Sequence, residues 1–237
     1  MKVRLIVPAN TSAFNEPMRQ AVAPILTPDV QLDVTNISGG IPHIESQTDF
    51  TINSPYVIEL ARQSQAEGYQ GIFVSDFDFC GVEPSRENVS IPVIGGFRPS
   101  ALTAISLSEK VGLITIVESV VPMQEEHFRN FGILNNLACI LPTNIPVIGL
   151  GSNPTHTIQR VYELSIQAIE EYGAQSIILG CTGFIGVAQP VAEALYSKYQ
   201  SYIPVLDPNR VGMSYLINLV RNGLAQSQRT YFPYNGD

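Results

Sequence analysis

Short apolar runs alternate with helix-period stretches along the whole chain, the pattern of a parallel sheet covered on both faces. Read as strands, the runs fall at residues 3–8, 30–36, 71–75 and 93–94, and again at 110–116, 138–141, 176–179 and 204–206. The intervening periodicity predicts helices at 16–25, 54–66, 99–107, 121–131, 155–172 and 209–224. Ser54-Pro55 reads as a cap followed by a first-turn proline, Asn153-Pro154 as a second such start, and Gly173 as a stop. The polar tail from Gln226 reads as frayed.

The pattern is written twice. Gly68-Tyr69-Gln70-Gly71-Ile72-Phe73-Val74-Ser75-Asp76 matches Gly173-Ala174-Gln175-Ser176-Ile177-Ile178-Leu179-Gly180-Cys181, and Lys2-Val3-Arg4-Leu5-Ile6-Val7 matches Lys110-Val111-Gly112-Leu113-Ile114-Thr115. The offsets, 173 − 68 = 105 and 110 − 2 = 108, nearly agree. An α/β fold of two pseudo-symmetric lobes follows, each a mainly parallel sheet flanked by helices. The first lobe is expected to hold residues 1–97 plus 207–237 and the second 98–206, with the active site in the cleft between them.

In open α/β sheets ligands bind beyond the carboxyl ends of the strands, so the residues there are the candidates for chemistry. Asp76 and Cys181 end the two matched strands and are the candidate catalytic pair. A strand-end cysteine followed by Thr182-Gly183 and a helix lies where backbone amides favour thiolate or hold a substrate oxygen, although a buried inert thiol is the commoner fate of the residue. For Asp76 the competing role is capping a turn, and Asp78 could serve as the acid in its place. Asn10, Thr11 and Ser12 after the first strand offer amide and hydroxyl groups to an oxyanion; Thr115 and Ser119 are their second-half counterparts. Glu45 and Phe77 complete the candidate substrate-binding set. Cys80 reads as a loop thiol and Cys139 as strand core.

Bulk properties narrow the class. At 237 residues, 45% hydrophobic and 14% charged, the chain can bury a large core, and its net charge of −8 argues against nucleic acid. Apolar runs stay far below the 18 or more residues of a membrane span, and the N-terminal run is too short for a signal peptide. Three cysteines without CxxC spacing, with His43, His127 and His156 scattered, imply neither a disulfide framework nor a metal site. The expected location is therefore the cytoplasm. Neither GxGxxG nor GxxxxGK[ST] occurs, which argues against a nucleotide cofactor.

Asn10-Thr11-Ser12, Gly40-Ile41-Pro42-His43-Ile44-Glu45, Arg86-Glu87, Ile91-Pro92-Val93-Ile94-Gly95, Leu179-Gly180-Cys181-Thr182-Gly183 and Ile203-Pro204-Val205-Leu206-Asp207 together resemble the aspartate/glutamate/hydantoin racemase superfamily, in its hydantoin and allantoin racemase branch. The resemblance covers nearly the whole chain. It implies a cofactor-independent enzyme, with two cysteines facing each other across a small-molecule substrate, and makes a homo-oligomer plausible. The second family cysteine maps onto Cys181. The first maps onto Asp76, and Cys80 lies four positions late, where that branch usually carries a proline. The implied activity is racemisation or epimerisation of a hydantoin-like or amino-acid-derived compound by Cα proton transfer. The alternatives are a single-cysteine decarboxylase of the arylmalonate type and a non-catalytic binding member.

Overall fold

The computed structural model describes residues 1–234. Its chain divides into two compact units, one of Met1–Ile44, Thr48–Gly96 and the residues from Gly212 onward, the other of Glu45–Gln47 and Phe97–Val211.

In chain order the elements are β1 (Lys2–Val7), α1 (Asn15–Val22), β2 (Gln31–Asn36), α2 (Gln47–Ala66), β3 (Gly71–Val74), α3 (Val82–Asn88), β4 (Val93–Ile94) and α4 (Phe97–Leu107). They continue with β5 (Val111–Thr115), α5 (Val121–Asn130), β6 (Leu137–Pro142), α6 (Val147–Leu150), α7 (Pro154–Tyr172), β7 (Ser176–Leu179), α8 (Ala188–Tyr199), β8 (Val205–Leu206) and α9 (Pro208–Arg221). Each unit carries one parallel four-stranded sheet, ordered β2-β1-β3-β4 in the first and β6-β5-β7-β8 in the second. The two orders are the same order, so the repeat in the sequence is a repeat in topology.

The correspondence extends to single hydrogen bonds. Gln70 N–H donates to Lys2 O at 2.8 Å, and Gln175 N–H to Lys110 O at 2.8 Å. The side-chain oxygen of each glutamine then accepts the N–H of the same lysine, at 3.1 and 3.3 Å. At the other end of the strands Ser75 N–H meets Ile6 O at 2.8 Å and Gly180 N–H meets Ile114 O at 2.7 Å. β3 and β7 are therefore equivalent, and each ends two residues before a candidate catalytic side chain.

Both faces of the inner strands are buried, which is why they read as unbroken apolar runs. In the second unit Val161, Leu164 and Ala168 of α7 pack with Ile114, Ile177 and Leu179 of the sheet. In the first unit β3 lies against α9: an ideal Cβ on Gly71 would stand 2.9 Å from Leu216 Cδ1, and one on Gly212 only 2.4 Å from the Phe73 ring. Each fully buried side chain of this size contributes about 1.5–3 kcal/mol.

Three expectations change. Ser54-Pro55 does not start a helix; α2 begins at Gln47 and carries Pro55 inside it, while Ser54 Oγ turns back to Phe50 O at 2.7 Å. No helix follows Thr182-Gly183 directly, because residues 182–187 form turns and α8 begins at Ala188. The tail is not frayed over its described residues. Gln226 Nε2 donates to Val89 O (2.7 Å) and Ile91 O (2.9 Å), Arg86 donates to Tyr231 Oη (2.8 Å), and Tyr234 N–H to Glu87 O (2.8 Å), so the polar tail straps α3 and the segment leading into β4. The Asn153 cap does form, accepting from His156 N–H at 3.1 Å with Pro154 in the first turn and Gly173 left-handed (φ +72°) at the end of α7. No helix among the described residues is long and apolar enough to cross a membrane.

Candidate active site

In the first unit the chain leaves β3 through Ser75 and Asp76. One oxygen of the Asp76 carboxylate, Oδ2, accepts the Cys80 N–H at 2.8 Å, while the Asp76 carbonyl accepts from Gly96 N–H at 2.8 Å. The half-buried carboxylate thereby closes the 76–80 loop. Phe79 within that loop has φ +70°, a conformation costing a non-glycine residue about 1–3 kcal/mol, and strain of this kind gathers at functional sites. Phe77 and Asp78 are buried, at 2% and 8% exposure.

Cys80 is fully buried, with its sulfur 3.6 Å from both Ser54 Oγ and Phe50 O. Burial, and secondarily the charge of Asp76, push its thiol far above the usual range. Cys80 cannot supply a thiolate near neutral pH.

The loop after β1 is held from behind by Asn53 of α2, which is fully buried and has no counterpart among the sequence-based candidates. Its Nδ2 donates to Pro8 O (2.8 Å) and Ile41 O (3.0 Å), and its Oδ1 accepts Ile41 N–H at 2.8 Å. Asn10 N–H joins the same Ile41 carbonyl at 2.9 Å, and its Nδ2 approaches Gly40 O at 3.4 Å. Gly40 is required there: its φ is +88°, and a Cβ would meet Asn53 Oδ1 at 2.2 Å. Asn10 and Ser12 are exposed, whereas the Thr11 hydroxyl accepts from Ala13 N–H at 3.3 Å and caps the short 3₁₀ turn Ser12–Phe14.

In the second unit the equivalent strand end presents Cys181, the one cysteine of the three that is not buried. Gly183 N–H points at its sulfur, 3.3 Å away. An amide donor stabilises thiolate relative to thiol, so the donor expected from a helix N-terminus comes instead from a turn two residues on. The Gly180 carbonyl accepts the fully buried Gln124 Nε2 at 2.9 Å and the Thr115 hydroxyl at 3.5 Å. The Thr182 carbonyl accepts Asn209 Nδ2 at 2.8 Å. Thr115 is thus a fully buried prop for the strand end, and Thr182 is 6% exposed.

Glu45 belongs to this second unit. Its carboxylate accepts Val147 N–H at 2.6 Å, at the start of α6, and its carbonyl accepts the Ser119 hydroxyl at 2.7 Å. An ideal Cβ on Gly183 would stand 2.9 Å from Leu150 Cδ1 of the same short helix and 3.3 Å from the Cys181 sulfur. Ser119, Glu45, α6, Gly183 and Cys181 therefore form one continuous chain of contacts. Asn53 and Gln124 escaped sequence reading because a buried amide carries no periodic or motif signal; Asn209 had one, as it follows the helix-starting Asp207-Pro208.

Burial raises the Asp207 carboxyl above the usual carboxylate range, against the N–H groups of Asn209 and Arg210 that favour its charged form. His127 lies against Phe97 with ring centroids 5.2 Å apart and planes tilted by 54°, and no cluster of three or more metal-ligating side chains exists among the described residues.

The family model described as Asp/Glu/Hydantoin racemase matches residues 3–216. Hydantoin racemase of Paenarthrobacter aurescens is 26% identical over 233 residues, covering 96% of this chain and 94% of the relative. Hydantoin racemase of Pseudomonas sp. (strain NS671) is 24% identical over 234 residues, covering 99% and 92%. Among solved structures, allantoin racemase from Klebsiella pneumoniae superposes with a TM-score of 0.91 at 24% identity, covering 100% of this chain and 95% of that one. Unliganded arylmalonate decarboxylase has a TM-score of 0.65 at 14% identity, covering 92% of each chain.

Proposed function

The chain belongs to the Asp/Glu/hydantoin racemase family, and from that premise we propose that Asp76 and Cys181 are the acid/base pair of a racemase or epimerase working without a cofactor. As a member of this family the protein is an isomerase of the racemase class. The substrate we infer is a hydantoin-like ring or amino-acid derivative whose Cα–H is acidified by an adjacent carbonyl.

In one direction the Asp76 carboxylate removes the Cα proton while the Cys181 thiol delivers its own to the opposite face. In the other, the Cys181 thiolate removes the proton and neutral Asp76 returns one. The two directions start from different protonation states and so differ in pH dependence, although their equilibrium constant for enantiomers is one. The observation that carries the reading is the Gly183 N–H on the Cys181 sulfur. It supports a thiolate at the strand end equivalent to the one that presents Asp76. We further assign Asn10, Ser12, Glu45, Ser119, Thr182 and Gly183 to the substrate's surroundings, with Thr11, Phe77 and Thr115 shaping them from behind.

The test is proton NMR in deuterated buffer with 5-substituted hydantoins and amino acids of both hands. Deuterium is expected at Cα of both enantiomers, and Cys181→Ser or Asp76→Asn should slow its entry by about 10²–10⁴-fold, the usual worth of a positioned acid or base. Asn at 76 keeps an oxygen for the Cys80 N–H, so this loss reports the base and not the loop. Exchange that neither substitution slows would sink the pair. Carbon dioxide released from a malonate, with a product of one hand, would instead identify a single-thiol decarboxylase.

A further inference from the structure

Asn209 is 1% exposed and holds the Thr182 carbonyl at 2.8 Å through Nδ2. That carbonyl and the Gly183 N–H belong to the same planar peptide, and in a trans peptide the two point in opposite directions. No cis peptide bond occurs among the described residues. Whatever fixes the carbonyl therefore aims the N–H, and the N–H is aimed at the Cys181 sulfur, 3.3 Å away. Asn209 is itself fixed, since its backbone N–H donates to Asp207 Oδ1 at 2.9 Å.

We propose that Asn209 is a positioning residue which, through the Thr182–Gly183 peptide, sets the amide donor that favours the thiolate of Cys181. This rests on the reading of Cys181 as a proton-transfer group, but its geometry does not. Asn209 sits at the start of α9, twenty-eight positions after Cys181. The Gly180 carbonyl on the other side of Cys181 supplies an internal contrast. Gln124 is as deeply buried as Asn209 and holds its carbonyl at 2.9 Å, yet that peptide's N–H belongs to Cys181 itself, and an N–H meets its own residue's sulfur only at a poor hydrogen-bond angle. Two buried amides of like strength thus act on neighbouring peptides, and only one of those peptides carries the donor. Charged groups tied into the supports of this turn include Asp207, with Arg210 at 3.9 Å from it, and Glu45, which is engaged at the start of α6; Asp76 is the charged partner proposed across the substrate.

The experiment measures the rate of Cys181 alkylation by iodoacetamide as a function of pH in the folded protein, with Cys181→Ser as background. It needs no substrate, so it reads correctly even if Cys181 is not the catalytic group; deuterium exchange on the same samples tests that separately. In Asn209→Leu the midpoint of the alkylation profile should rise by about one pH unit, with alkylation below the midpoint slowed about tenfold, the expected worth of one hydrogen bond to a charged sulfur. Gln124→Met should lower the melting temperature comparably and leave the midpoint in place. Asn209→Ser, too short to reach Thr182 O but easier to pack, should shift the midpoint in the same direction and serves if the leucine variant fails to fold. An unchanged midpoint in a folded Asn209 variant, or equal shifts in the Asn209 and Gln124 variants, overturns the proposal.

Discussion

Replacing Asn53 by leucine removes one side chain and uncouples two loops. The amide is fully buried and makes three bonds, donating to Pro8 O and Ile41 O and accepting from Ile41 N–H. Leucine fills nearly the same space, so the loss is mainly polar. The Ile41 carbonyl keeps its bond from Asn10 N–H, but Pro8 O and Ile41 N–H both lose the amide. Two backbone groups stripped of a partner cost about 1–3 kcal/mol each, and the added apolar burial offsets about 1 kcal/mol of that. The net is about 3 kcal/mol. At ~2–4 °C per kcal/mol for a chain of this size, the melting temperature should fall by roughly 6–12 °C in calorimetry. Amide exchange should quicken at Ile41 and Asn10 before the rest of the sheet. Asn53→Asp adds a signed check. Its oxygen still accepts from Ile41 N–H, but the charged form points at two carbonyls, so folding favours the protonated acid. A folded-state titration above the unfolded value of about 3.9 means that stability is greatest at low pH and declines as pH rises through the folded titration. A leucine variant that melts within about 2 °C of the parent protein would refute the clamp.

Four further outcomes are expected. Cys80 is fully buried and Cys139 has its thiol pushed up to about 12 by burial, so a thiol reagent at pH 8 should find one fast cysteine in the native protein and three after unfolding; two fast native thiols would contradict the assignment of Cys181 as the accessible one. Asp76→Cys should abolish proton exchange instead of improving it, because a cysteine sulfur stands one bond nearer the backbone than Oδ2 and cannot reach the Cys80 N–H; exchange faster than in the parent would show that the loop adapts. Asp207 is held above its ordinary titration by burial, so its contribution is most favourable at acid pH and declines as pH rises through the folded value; Asp207→Asn, still able to cap α9, should match or exceed the parent's stability at pH 8 and lose that advantage near pH 4, as denaturant melts at the two pH values would reveal. Gly212→Ala would press a methyl group to within 2.4 Å of the buried Phe73 ring, and a loss of about 1–3 kcal/mol in a urea titration is expected from such overpacking.

What could be read from the sequence was whatever burial forces into a pattern. The inner strands must be apolar on both faces, so Leu5, Phe73, Leu113 and Ile178 announced their strands, and the matched Gln70 and Gln175 announced the repeat. Short polar helices lack that constraint. The seven residues of α3 include Pro84 and enter from Gly81 in a left-handed turn, and α6 is a single turn whose first amide is capped by Glu45 from a distant segment. Ser54-Pro55 misled because a proline costs a helix one donor and some crowding, which twenty residues of α2 absorb. The tail read as frayed because Gln226 and Tyr234 bond to backbone groups, and backbone acceptors leave no trace in composition.

The candidate pair was drawn from the same kind of signal. Asp76 and Cys181 could be singled out because each stands two residues beyond an equivalent strand, and the structure gives that equivalence a chemical content. In both units the side chain at this position accepts a hydrogen bond from a backbone amide of its own loop: Asp76 Oδ2 from Cys80 N–H at 2.8 Å, Cys181 Sγ from Gly183 N–H at 3.3 Å. The repeated loop thus turns one backbone N–H onto the strand-end acceptor of each unit. The longer reach of a carboxylate is matched by a donor four residues on, and the shorter reach of a thiol by a donor two residues on. The proposed pairing of Asp76 with Cys181 thus rests on two strand-end loops of one plan, each turning a backbone N–H onto its own acceptor.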